Sequence, residues 1–183
     1  MNLKTIWIFL AFAGWIAWAA PNLQAQLLKT QSQALKQAFV QADTVLRRTL
    51  FLDKNQVERI QKKSRSKVPS RIVSYYVGIK EGRPTGYAFF EKQIVRTKPA
   101  IIMVVIAPDT TVQAVEVLAF HEPMDYLPTA RWFKQFLHKK LSQNLWPDKE
   151  IHAVTGATLS ARAFTLMIRR ALSYMELIGA KHP

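Results

Sequence analysis

The sequence predicts an α+β domain: an antiparallel sheet meander packed with helices, preceded by an N-terminal membrane or signal helix and a leading helical segment. Three observations carry this. Stretches rich in β-branched and aromatic residues succeed one another from Ile72 to Phe120, too closely spaced for parallel crossovers, which need about a dozen residues. Helical periodicity takes over after Thr129. Of the 183 residues, 49% are apolar, enough for a packed core.

The elements can be justified in chain order. Met1 to Lys4 is a short basic start, and the apolar run Ile6 to Ala20 is the length of a signal-peptide core. Ala17, Ala19, Ala20 and Ala25 offer small residues for cleavage, whereas Pro21 and Asn22 would end a short anchor. Either reading exports the remainder of the chain. Gln24 to Leu50 is rich in Ala, Gln and Leu without Gly or Pro, and reads as a helix leading away from the membrane. Asp53 is placed to cap a second helix, with Val57 and Ile60 on one face. Ser64 to Ser70 reads as a basic linker.

Ile72 to Ile79 is the first strand, Glu81 to Pro84 a turn, and Thr85 to Phe90 the second strand. Ala100 to Ala107 is apolar throughout, as a central strand buried on both faces should be. Pro108-Asp109-Thr110 turns the chain into Val112 to Phe120. Thr129 then caps a helix bearing Trp132, Phe133, Phe136 and Leu137 on one side. The last helix spans Leu159 to Ile178. Its Phe164, Met167, Ile168, Ala171, Leu172 and Met175 form the apolar stripe, with Arg162, Arg169 and Arg170 off it.

With no cysteine, thiolate catalysis, iron–sulfur ligation, c-type haem attachment and disulfides are excluded. The formal charge of +14 suits an anionic membrane surface, an acidic partner or nucleic acid. The densest basic run, Lys62, Lys63, Arg65, Lys67 and Arg71, lacks any zinc-finger or RNP-type companion, so nucleic acid is not the expected partner. His121-Glu122 is followed by Pro123, which denies the helix that a zinc-protease motif needs. Glu122 and Asp125 could be paired acids, but nothing beside them in sequence would raise a pKa.

The stretch HAVTGATLSARAF, His152 to Phe164, sets Thr155, Thr158 and Ser160 around Gly156 and Ala157 at the mouth of the last helix. Unpaired N–H groups and partial positive charge there stabilise a phosphate, and the two small residues leave the backbone uncovered. Thr155 or Thr158 could equally be a plain helix cap with Gly156 making the turn.

TGATLSARA, Thr155 to Ala163, resembles the S/T-G-A-T-x-S/T motif of the FMN-binding domain family, which includes flavin subunits of the Rnf and sodium-translocating quinone reductase complexes. YYVGIKEGRPTGYAFF, Tyr75 to Phe90, is similar to that family's opening hairpin. VEVLAFHEPMDYLPT, Val115 to Thr129, is similar to the segment in which a Glu-Pro pair, here Glu122-Pro123, precedes a loop beside the flavin.

The resemblance implies FMN held covalently as a phosphoester of Thr158, with Thr155, Gly156, Ala157, Ser160, Glu122 and Pro123 around it. It implies an FAD:protein FMN transferase, Mg²⁺-dependent, as one partner and membrane redox proteins as electron donor and acceptor. The chain departs from the family at His152, where an Asp usually stands; Asp148 and Glu150 are nearby. The expected organisation is a signal peptide or anchor over 1–25, a helical leader and basic linker over 26–70, and the FMN-binding domain over 71–183. The expected role is an electron-transfer module of the inner membrane's periplasmic side, or of the periplasm after cleavage, rather than a stand-alone catalyst. The alternative is a membrane-tethered binding or assembly domain of the same fold without flavin.

Overall fold

The run Pro99–Ile106 sits at the centre of the molecule, as its unbroken apolar character requires. In the computed structural model, which describes residues 26–179, this strand is β5 of an antiparallel sheet ordered β1-β6-β5-β4-β3-β2. Its Ala100, Ile102, Val104 and Ile106 face one core cluster, and its Met103 and Val105 face a second on the other side. Five long strands, β2 (Thr44–Phe51), β3 (Ile72–Lys80), β4 (Arg83–Ile94), β5 and β6 (Val112–Phe120), form the meander. A two-residue β1 (Gln26–Leu27) adds to β6 at one edge.

The helices cover both faces. α2 (Lys54–Ser64), the single turn α3 (Ala130–Phe133) and α4 (Thr158–Gly179) enclose the larger core, while α1 (Gln31–Ala38) closes the other side with Ala34 and Phe39. Gly78 of β3 is needed there: a Cβ would lie 2.3 Å from the Phe39 ring. The hairpin between β3 and β4 turns on Glu81 and Gly82, both at positive φ.

The expected helix over Gln24 to Leu50 is corrected. Among the described residues of this stretch only Gln31–Ala38 is helical, started by a capping box between Thr30 and Gln33. The chain then turns, and Thr44–Phe51 pairs along its whole length with β3, from Thr44 opposite Ile79 to Phe51 opposite Ile72. Cross-strand pairing with β3 outweighs the local helix propensity. Asp53 does cap α2, through a capping box with Gln56.

The helix after Thr129 is shorter than its sequence suggests. Thr129 makes no side-chain cap bond, α3 lasts one turn, and a 3₁₀ turn at Lys134–Phe136 completes it. Burial drives this segment: Trp132, Phe133 and Phe136 are buried and pack edge-on around Trp132, while Phe133 meets Phe164 of α4. The stripe on α4 is buried as expected. Arg169 and Arg170, expected in solvent, are buried too, at 2% and 1% exposure, because each guanidinium finds a full set of partners. Residues 1–25, where the signal or anchor reading falls, lie outside the described residues. Among those described, no helix is long and apolar enough to cross a membrane.

Candidate functional site

The site is built at the N-terminus of α4. Trp146 and the bridge between Pro147 and Ile151 bring the chain out of its last loop. His152 is then tied to the α3 segment by its backbone. Its N–H donates to Gln135 Oε1 (2.8 Å), and its carbonyl accepts from Trp132 Nε1 (2.7 Å). The His152 side chain is exposed. Gly156, at φ +80°, makes the turn into the helix, and nothing lies within 4 Å of where its Cβ would be. The Ala157 N–H closes the turn on the Val154 carbonyl (3.0 Å).

The first helical hydrogen bond runs from the Ala161 N–H to the Ala157 carbonyl (2.9 Å). The N–H groups of Thr158, Leu159 and Ser160 therefore precede the ladder, pointing out of its positive end. Thr158, the first residue of α4, is exposed. Ser160 is 1% exposed, and its Oγ is the one buried side-chain polar atom without a hydrogen-bond partner among the described residues. A buried unsatisfied hydroxyl costs about 1–3 kcal/mol, so Ser160 Oγ has an unmet hydrogen bond to give.

An open cavity of about 310 Å³ is lined by Gly156 through Ser160 together with Arg96 and Tyr126. Of the residues expected at the site, Gly156, Ala157, Thr158 and Ser160 thus come together. Thr155 is exposed on the approach to the turn. Glu122 and Pro123 act one step back. Pro123 opens the 3₁₀ turn Met124–Tyr126 that carries Tyr126 to the cavity. Glu122 is buried. Its Oε1 accepts from the N–H groups of Thr97 (2.7 Å), Lys98 (2.8 Å) and Arg96 (3.2 Å) and from Thr97 Oγ1 (3.3 Å). These bonds, that of Thr97 first, hold its carboxyl below the usual carboxylate range. The acid thus stays charged and folds the β4–β5 turn.

Arg96 is not legible as a site residue in the sequence. It stands in a turn remote from the Thr155–Thr158 motif, beside no recognisable pattern. Its guanidinium lies 4.6 Å from the Tyr126 ring centroid, a cation–π geometry. Charge, open backbone donors and an orphan hydroxyl therefore share one cavity with an exposed threonine, a constellation that fits a phosphate monoester or diester.

Residues 98–173 match the FMN-binding domain family. The matched range contains Glu122-Pro123 and the whole Thr155–Thr158 motif; the β3–β4 hairpin that resembles the family's opening lies before it. The crystal structure of NqrC from Shewanella oneidensis shares the fold, with a TM-score of 0.54 over 82% of this chain and 90% of that one at 13% identity. No curated protein is matched by sequence. The family match supports FMN as the bound flavin, and the cavity's donor set fits its phosphate.

Proposed function

We propose that this chain is an extracytoplasmic, membrane-associated flavoprotein that carries FMN as a phosphoester of Thr158 and relays electrons between redox partners. One observation carries the reading: within the FMN-binding match, exposed Thr158 stands at the helix mouth and lines one cavity with Ser160, whose buried Oγ is unpartnered.

Attachment begins at Thr158. Its Oγ attacks the FMN phosphorus of FAD, on an FAD:protein FMN transferase with Mg²⁺. The Oγ–P bond forms, the pyrophosphate bond breaks, AMP leaves, and the hydroxyl proton passes to the transferase. The free N–H groups of Thr158, Leu159 and Ser160 and the Ser160 hydroxyl would then be the donors that hold the phosphate oxygens. Gly156, with nothing within 4 Å of its Cβ position, leaves room for the chain beyond the phosphate. The bound flavin supplies one- and two-electron redox chemistry. The cavity is open and small, so the residues around it hold the phosphate end and leave the redox end accessible to partner proteins, as a carrier requires.

Covalent attachment prevents loss of the cofactor outside the cytoplasm, in keeping with the export reading of residues 1–25 and with membrane redox proteins as donor and acceptor. Co-expression with an FAD:protein FMN transferase tests the proposal. The denatured protein band should fluoresce under ultraviolet light, and a reporter at the C-terminus should be active only outside the cytoplasm. A colourless, non-fluorescent band beside an active transferase would overturn covalent attachment. Native protein that binds no flavin would leave a binding or assembly domain in its place.

A further inference from the structure

We infer that Arg96 is the counter-charge of the flavin phosphate, with Tyr126 as its platform and Glu122 as the positioning residue that holds its turn. The inference rests on the flavin reading of the same cavity and adds to it a residue that lies before the family-matched range.

The sheet places the group. β4 ends at Ile94 and β5 begins at Pro99, so Arg96 sits in the turn between them. An exposed turn would ordinarily leave its backbone donors to water. Here Glu122, beyond the end of β6, reaches back and takes three consecutive N–H groups on one carboxylate oxygen. This fixes the turn against the loop that carries Tyr126, and Tyr126 N–H in turn donates to the Pro123 carbonyl (3.0 Å). The Arg96 guanidinium then lies over the Tyr126 ring, and both residues line one cavity with the α4 N-terminus.

Arg96 takes part in none of the ion pairs among the described residues. Its side chain is exposed, so its charge is available to a ligand. The second, independent sign of a ligand is Ser160, which lines the same cavity and whose Oγ is buried and unpartnered. A guanidinium and a helix N-terminus that line one cavity suit an anion, since phosphate accepts from both. Glu122 makes this arrangement from outside the cavity lining, its Oε1 taken up by the turn.

FMN and riboflavin differ by the phosphate, so paired titrations of flavin-free protein isolate this role. Wild type should bind FMN more tightly than riboflavin, with a preference that fades as salt rises. Arg96→Ala should weaken FMN binding about tenfold and leave riboflavin unchanged. Arg96→Lys should keep part of the preference, and Tyr126→Phe nearly all of it, since the ring face remains. Glu122→Ala should lower FMN affinity alone, by freeing the turn; if that variant does not fold, the Arg96 pair decides. Equal loss of both flavins in Arg96→Ala, or no preference for FMN in wild type, would overturn the role of Arg96. The flavin reading stands or falls separately, on fluorescence of denatured wild type after transferase treatment.

Discussion

Arg170 on α4 and Glu91 on β4 form an ion pair buried from solvent on both sides, with Arg170 Nε donating to Glu91 Oε2 at 2.6 Å and the terminal nitrogen on the same oxygen. Arg170 also donates to Ser66 Oγ (2.6 Å) and to the Lys67 and Lys92 carbonyls, so the loop after α2 is tied to the sheet through one guanidinium. Removing one partner of such a pair strands a buried charge. Arg170→Met is therefore expected to cost about 3–5 kcal/mol, and the double variant with Glu91→Leu markedly less. Chemical denaturation of the three proteins measures this.

Burial pushes the Glu91 carboxyl from its ordinary 4.5 up to about 7, against the pull of Arg170. A raised folded-state pKa means that the folded protein holds this proton more tightly than the unfolded chain does. The stability it contributes is complete below the ordinary carboxylate range and is withdrawn as pH rises to about 7. Melting temperatures between about pH 4.5 and about pH 8 should show this component falling and then levelling, and Glu91→Gln should remove it. A Gln variant with an unchanged profile would assign the dependence to other groups.

Arg169 is a structural clamp. Its guanidinium donates to the Lys63 (2.5 Å) and Ser64 (3.2 Å) carbonyls at the C-terminus of α2 and to the Ser142 (2.5 Å) and Leu145 (3.0 Å) carbonyls of the loop before α4. It thus satisfies acceptors that the helix end leaves open and sits where the helix dipole favours a cation. Arg169→Ala is expected to cost about 3–5 kcal/mol, comparable to the about 2–5 kcal/mol expected for the buried Leu172→Ala. An Arg169 in solvent, as the apolar stripe alone suggests, would make Arg169→Ala nearly harmless. Thermal unfolding of both variants separates the two.

Ser160 gives a prediction of opposite sign. In flavin-free protein its buried Oγ has no partner. Ser160→Ala should leave stability unchanged or raise it by about 1 kcal/mol. After flavin attachment the order should reverse, with wild type gaining more from loading than the variant. Differential scanning calorimetry of both proteins, before and after loading, checks the reversal. A large loss in the flavin-free variant would mean that the hydroxyl already serves the fold.

Features with local causes are the ones the sequence makes legible. Ala100 to Ala107 is recognisable because a strand buried on both faces must be apolar at every position, and the stripe from Phe164 to Met175 because one helix face is. Thr44–Phe51 is not recognisable as a strand because it lies at the sheet edge, exposed at every position except Leu50, and so shows no alternation. Its identity comes from pairing with β3, a non-local cause. Arg169 and Arg170 mislead for the same reason: their acceptors come from α2, β4 and the loop before α4. At the site, Thr158, Gly156 and Ser160 are visible because the motif is contiguous. Arg96 is invisible because only the sheet brings its turn to the α4 N-terminus.

Thr158 supplies the decisive test of the proposed attachment. Thr158→Ala removes the acceptor oxygen, so the fluorescent denatured band and the FMN mass, less one water, on its peptide should both vanish. The fold should survive, because Thr158 is exposed and makes no side-chain hydrogen bond among the described residues. The cost should stay below the about 0.5–2 kcal/mol of a lost helix cap. Thr155→Ala keeps the acceptor and should slow loading without abolishing it. His152 stands where the family usually has Asp, yet its backbone, not its side chain, ties it to Trp132 and Gln135, and the side chain is exposed to an approaching transferase. His152→Asp should therefore leave stability nearly unchanged and raise the loading rate by a transferase that reads the acid. Loading time courses of wild type and the three variants, followed by in-gel fluorescence and peptide mass, distinguish these outcomes. A Thr158→Ala protein that still carries the label would move the phosphoester to another hydroxyl, with Thr155 the nearest exposed one in the motif.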